Sequence, residues 1–181
     1  MINYEKRQKM KKLFILALLT LSLSACGGNN SSNIKLSGNM TVYYGKNIAM
    51  QTSYSLELPE ECENTTSELS ELSAYYEGCS VSAVSMPADQ ATLCEDKEQF
   101  AEVMELLGYN LTVTAYDTYT TDDGIDAYRA DYSLEKTKIT QITYVSDAVA
   151  YVTTYGRPEA VDKKIDKIFI EGLEAFKLEE E

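Results

Sequence analysis

Asp126-Ala127-Tyr128-Arg129-Ala130-Asp131-Tyr132-Ser133-Leu134 is the stretch that sets the fold class. Tyr128, Ala130, Tyr132 and Leu134 fall at every second position, the period of a strand with one face buried. Asp122-Asp123-Gly124 precedes it, and Asp and Gly tolerate the positive φ of a tight turn. Residues 111–121, β-branched and Tyr-rich, therefore read as its hairpin partner. Lys136-Thr137-Lys138 reads as a polar turn. Residues 139–145 and 148–155 then form a hairpin about Ser146-Asp147. Connections this short make antiparallel neighbours.

Upstream the same period recurs. Residues 41–44 read as a short first strand ended by Gly45-Lys46-Asn47. In residues 48–58, Tyr54, Leu56 and Leu58 alternate with Ser53, Ser55 and Glu57 until Pro59 stops the strand. Residues 60–73 are acidic and read as a loop with a short helical turn. Residues 75–86 read as one strand, with Cys79, Val81 and Ala83 on one face and Ser80, Ser82 and Val84 on the other.

Two segments carry helical spacing instead. Asp96-x-x-Gln99 has the form of a capping box. Phe100, Val103, Met104 and Leu107 make an apolar stripe, and Gly108 suits a left-handed C-terminal position. Pro158 and Glu159 suit a first helical turn. Val161, Ile165, Ile168, Phe169 and Phe176 give the buried stripe of that second helix, ending near Lys177. The expected fold is a single α+β domain, an antiparallel sheet of about six or seven strands flanked by two main helices.

The N-terminus sets the location. Lys6, Arg7, Lys9, Lys11 and Lys12 precede the uncharged run 13–23, and Leu23-Ser24-Ala25-Cys26 ends it. This is the layout of an export signal, too short for the roughly 20 apolar residues of a membrane span. Its last four residues resemble a bacterial lipobox, which implies cleavage between Ala25 and Cys26 and lipidation of Cys26. Gly27 at the next position gives no inner-membrane retention signal. The expected organisation is signal 1–25, flexible tether 26–39, domain 40–178 and acidic tail 179–181. The expected location is the extracytoplasmic face of a membrane, the outer one where a cell has two.

The element order also resembles the PsbP-like family, which includes DcrB-type bacterial lipoproteins. Ser55-Leu56-Glu57-Leu58-Pro59 closes one strand, a strand and the Asp96 helix follow, and then come the Ala127–Tyr132 and Ala150–Tyr155 strands. Glu174-Ala175-Phe176-Lys177 ends the last helix. The resemblance covers residues 48–178. It implies a PsbP-like sandwich whose relatives mostly assemble or stabilise complexes without catalysis. Many relatives carry a tryptophan after the Leu-Pro step; here Glu60-Glu61-Cys62 follows, and the chain has no Trp.

Composition excludes several classes. Removing the five bases and one acid of residues 1–25 leaves 11 basic and 28 acidic residues, a formal charge of −17. That argues against nucleic acid, which binds through Lys and Arg on phosphate. The chain has no histidine, so Ser-His-Asp and Cys-His chemistry are excluded. No phosphate-binding Gly-Lys-Ser/Thr loop is present. Cys62, Cys79 and Cys94 lack zinc-ligand spacing. Asp122, Asp123 and Asp126 lack the alternation of a calcium loop. No catalytic residue, metal or cofactor is therefore expected. An exported location permits one disulfide, and Cys62–Cys79 is the expected pair, with Cys94 left over. Tyr116 and Tyr119 are read as an exposed row able to bind sugar or peptide.

The expected function is a membrane-anchored, non-catalytic interaction or assembly module with a protein partner. The alternative is a lipoprotein that binds a sugar, peptide or cation. A carboxylate hydrolase ranks third.

Overall fold

The computed structural model describes residues 36–65 and 70–179. Ala25 and Cys26 lie outside them. Among the described residues there are ten strands and two α-helices. The strands are β1 (Met40–Asn47), β2 (Thr52–Pro59), β3 (Glu63–Asn64), β4 (Leu72–Tyr76), β5 (Cys79–Pro87), β6 (Thr112–Thr120), β7 (Asp126–Leu134), β8 (Thr137–Ser146), β9 (Val149–Pro158) and β10 (Lys177–Leu178). The helices are α1 (Lys97–Leu107) and α2 (Lys163–Glu174). The fold is α+β, with a seven-stranded sheet ordered β3-β4-β5-β9-β8-β7-β6 and a three-stranded sheet ordered β1-β2-β10. All pairings are antiparallel.

The two faces of the large sheet follow from alternation. Cys79, Val81 and Ala83 of β5, Tyr151 and Tyr155 of β9, Ile142 and Tyr144 of β8 and Ala127 of β7 point to one side. There they meet Tyr54, Leu56 and Leu58 of β2 and Phe169, Leu173 and Phe176 in one core. Aromatic stacking fixes this layer. Tyr155 lies parallel to Phe169 at 5.0 Å, and Tyr144 parallel to Phe176 at 4.2 Å. On the opposite side, Ala130 and Tyr132 of β7 and Ile139 of β8 meet Phe100, Met104 and Leu107 of α1.

α1 forms as its local signals dictate. The Asp96 carboxylate accepts the Gln99 amide at 2.8 Å, and Gly108 closes the helix at φ +91°. The Gln99 side chain reaches back to the Glu95 amide at 2.6 Å.

Several expectations are corrected. The second helix ends at Glu174 rather than near Lys177, because Lys177–Leu178 pair with β2 as β10. The strand expected over 48–58 starts only at Thr52, after the turn that follows β1. Residues 75–86 do not form one strand: Glu77 (φ +43°) and Gly78 (φ +84°) turn the chain between β4 and β5. Two successive positive φ values are the geometry of a tight hairpin. Pro158 does not open α2, because β9 runs on to pair Pro158 with Thr137. The helix starts five residues later, where the Asp162 carboxylate accepts the Lys164 amide at 2.8 Å. Gly45 does not end the first strand. It sits inside β1 because a Cβ there would fall 2.2 Å from the Tyr54 ring. The turn between β7 and β8 begins at Glu135 (φ +55°), one residue ahead of the Lys136-Thr137-Lys138 expectation, since β8 already starts at Thr137.

Residues 36–39 are also held to the body. Leu36 packs on the core, and Ser37 and Asn39 bond the carboxylates of Glu60 and Glu61.

Candidate functional site

The charged side chains that enter the fold are the first candidates for chemistry. They form a ladder under α2. Arg157, near the end of β9 and 8% exposed, places its Nε 2.6 Å from Asp166 of α2. This is an ion contact rather than an aligned hydrogen bond, since neither atom has a bonding partner in good geometry. Its guanidinium carbon also stands 4.8 Å over the Tyr155 ring. Its Nη1 donates to Thr140 Oγ1 at 2.9 Å, and Thr140 donates in turn to Asp131. Arg129 Nε donates to the other Asp131 oxygen at 2.9 Å, and its Nη1 donates to Glu174 of α2 at 2.7 Å.

The ladder thus starts and ends on α2, two turns apart, and crosses β9, β8 and β7 between. Register explains it. Thr140 pairs with Tyr155 on one side and Asp131 on the other, and Arg129 stands one same-face position along. Each acid meets a base or a hydroxyl, so the arrangement clamps a helix to a sheet.

Glu71 plays a similar part at the other end. Its carboxylate accepts the Ser85 amide at 3.1 Å, the Ser85 hydroxyl at 2.8 Å and the Asn47 amide group at 2.7 Å. It therefore joins β1 to β5 across the two sheets. Burial, and then the Glu71 charge beside it, hold the Tyr54 hydroxyl strongly towards its protonated form.

The three described thiols are buried and unbridged. The expected Cys62–Cys79 pair is not formed. Glu63 pairs with Tyr75 and Tyr76 with Cys79, so Tyr76 lies between the two cysteines. Two strand spacings come to roughly 9–10 Å, beyond the reach of a disulfide. Burial pushes the Cys62 thiol up to about 12 and Cys94 up to about 11. Burial raises Cys79 too, against smaller opposing effects of the Tyr155 hydroxyl, 3.5 Å away, and Arg157. Such thiols are protonated at neutral pH and are poor nucleophiles.

Tyr116 and Tyr119 do not make a row. They are three positions apart on one strand, so they point to opposite faces. The Tyr116 hydroxyl is engaged at 3.0 Å by both the amide and the carbonyl of Cys94, while Tyr119 is exposed on the far side. Asp126 accepts from Thr120 at 3.2 Å at the base of the 122–124 turn. Among the described residues, no cluster of acids and cysteines has metal-binding geometry, and no helix is long and apolar enough to cross a membrane.

One surface feature was missed in the sequence. Six large apolar side chains are exposed among the described residues, and four of them lie at positions 40–48: Met40, Val42, Tyr44 and Ile48. The alternation of residues 40–44 was visible. That it faces outward follows only from the small sheet packing its other face, with Tyr43, Tyr54 and Leu56, on the core.

No protein-family model matches the chain, and no curated protein sequence matches it. Solved structures do. The solution structure of cyanobacterial PsbP (CyanoP) from Synechocystis sp. PCC 6803 superposes with a TM-score of 0.53 at 8% identity, covering 85% of this chain and 99% of that one. A Pseudomonas aeruginosa protein of unknown function superposes with a TM-score of 0.40 at 14% identity, over 76% of this chain and 95% of that one. At 8% identity the first likeness speaks for the backbone arrangement alone: this single α+β domain has the PsbP-like fold.

Proposed function

We infer that the chain is a bacterial lipoprotein, cut before Cys26 and lipidated there, whose domain works outside the cytoplasm as a non-catalytic interaction or assembly module. The observation that carries this reading is the order of the N-terminus: five bases, an uncharged apolar run and then Leu23-Ser24-Ala25-Cys26. One acyl chain binds a bilayer only reversibly, and a second makes the hold stable.

The structure supports the non-catalytic part by where the charges go. Asp131, Asp166, Glu174, Arg129 and Arg157 tie α2 to the large sheet, and Glu71 ties the two sheets together. The fold likeness to CyanoP is compatible with an assembly role, but fold by itself carries no activity.

Two measurements test the reading. The mass of the N-terminal peptide from native membranes should show Cys26 carrying two or three acyl chains; an unmodified thiol or a retained Met1 overturns the anchor. Crosslinking followed by pull-down from those membranes should enrich one protein partner over a Cys26→Ser chain. No enrichment across growth conditions overturns the module.

A further inference from the structure

We propose that the outer face of β1, formed by Met40, Val42 and Tyr44 and continued by Ile48 in the following turn, docks on the surface of the lipid bilayer. This inference rests on the lipid anchor at Cys26 and adds an orientation of the domain to it.

The outward side chains of β1 are mostly apolar, while Glu57 of β2, opposite Val42, and its ion partner Lys177 border them on the same side. Met40, Val42 and Tyr44 are 39%, 44% and 66% exposed, and Ile48 is 83% exposed. They occupy alternate positions, while the intervening Tyr43 and Gly45 turn inward. Tyr43 donates its hydroxyl to the Cys62 carbonyl at 2.7 Å. The strand therefore cannot rotate to hide its apolar side without breaking its inner contacts. Aliphatic side chains with a tyrosine and a lysine among them suit the headgroup boundary, where one end of a side chain is apolar and the other wet.

Chain length places this face near the bilayer. The chain is pinned at Leu36, which packs on the core, and at Ser37 and Asn39, which bond Glu60 and Glu61. Nine residues, and so ten chain steps, separate Cys26 from Leu36, a span of at most about 35 Å. β1 begins four residues later. Among the described residues, no other strand begins so near the anchor along the chain.

Charge decides between a bilayer and a second copy. Residues 26–181 carry a formal −17. Edge-to-edge pairing of two copies brings these charges together, and Lys46 in the strand further blunts pairing. A zwitterionic lipid surface opposes neither.

The chain has no tryptophan, so a single introduced indole is a clean reporter. The full chain, lipidated in cells and reconstituted in phosphatidylcholine vesicles, should be compared as Ile48→Trp and as Leu106→Trp. Leu106 is 53% exposed on α1, on the other side of the large sheet. Brominated phosphatidylcholine is expected to quench the indole at 48 at least about threefold more than the indole at 106, because only groups at the lipid boundary are reached. Adding Val42→Ser and Tyr44→Ser should remove most of that difference.

Equal quenching at both positions on protein that floats with the vesicles overturns the docking and leaves the anchor standing. Failure to float overturns the anchor and the docking with it. A blue shift at 48 that grows with protein concentration, without quenching, assigns the face to a second copy and overturns the proposal.

Discussion

The two helices cover opposite faces of one sheet and are held by different physics. α1 lies on an apolar seam of Phe100, Met104 and Leu107 against Ala130, Tyr132 and Ile139. α2 combines an aromatic stack with a ladder of charges that begins at Asp166 and ends at Glu174. It also approaches β2 so closely that a Cβ on Gly172 would fall 2.1 Å from the Glu57 carbonyl oxygen. The first interface tolerates a small slide, because apolar packing is non-directional. The second fixes depth and register at once, because hydrogen bonds and backbone contact have little slack.

The sharpest break in that comparison is Gly172→Ala. The new methyl must push α2 off β2, and a loss of about 3 kcal/mol or more is expected from overpacking against backbone. Gly108→Ala at the end of α1 meets no atom within 4 Å and bears only the left-handed φ, about 1 kcal/mol. Urea unfolding of the two variants measures the contrast, and equal losses would show that α2 does not rest on β2 as described.

Asp166→Ala should come next. It leaves the Arg157 guanidinium, 8% exposed, beside Tyr155 without its counter-charge. Asp166 is itself 30% exposed, so the loss is discounted to about 2 kcal/mol from the value for fully buried pairs. The double variant Asp166→Leu with Arg157→Met should recover most of it. A double variant no more stable than Asp166→Ala would place the ladder's worth elsewhere.

Asp96→Ala, which removes the α1 cap, should cost about 1 kcal/mol. The equivalent change at Asp162 should cost less than Gly172→Ala by a wide margin, since tertiary contacts rather than the cap position α2.

The thiols report the two interfaces separately. Cys94 sits in the α1 core and Cys62 and Cys79 in the α2 core. Their folded values lie above the ordinary 9.0, so folding favours the protonated form. Their contribution is complete below about pH 9 and is lost as pH rises through about 11 for Cys94 and about 12 for Cys62. The unfolding midpoint should therefore fall above pH 9, and alkylation of the native chain should reach Cys94 before Cys62. The reverse order, read by peptide mass, would make the α2 side the looser one.

Local chemistry was legible wherever a short segment closes its own hydrogen bonds or repeats with period two. The Asp96 cap, the Gly108 end and the faces of β2, β5 and β7 are of this kind. Residues 126–134 are β7 at both ends. Failures came where a distant strand decides. Pro158 looked like a helix start, but Thr137 holds it in a sheet. Gly45 looked like a strand end until the Tyr54 ring explained it. The Glu77-Gly78 turn marks a change of phase that a single strand does not have: Leu72, Ala74 and Tyr76 face the core before it, and Cys79, Val81 and Ala83 after it.

The amino-acid order by itself determined the fold class, the Asp96-capped helix, the alternating faces of β2, β5 and β7, and the lipobox-like N-terminus, because these depend on neighbours within a few positions. Only the tertiary structure decided that Tyr76 separates Cys62 from Cys79, that Arg129, Asp131, Thr140 and Arg157 line up under α2, and that the small sheet packs inward through Tyr43, Tyr54 and Leu56 and leaves the other side of β1 outward. Those facts depend on strand order and register, which are set by the burial of whole faces at once and leave no mark at any single position.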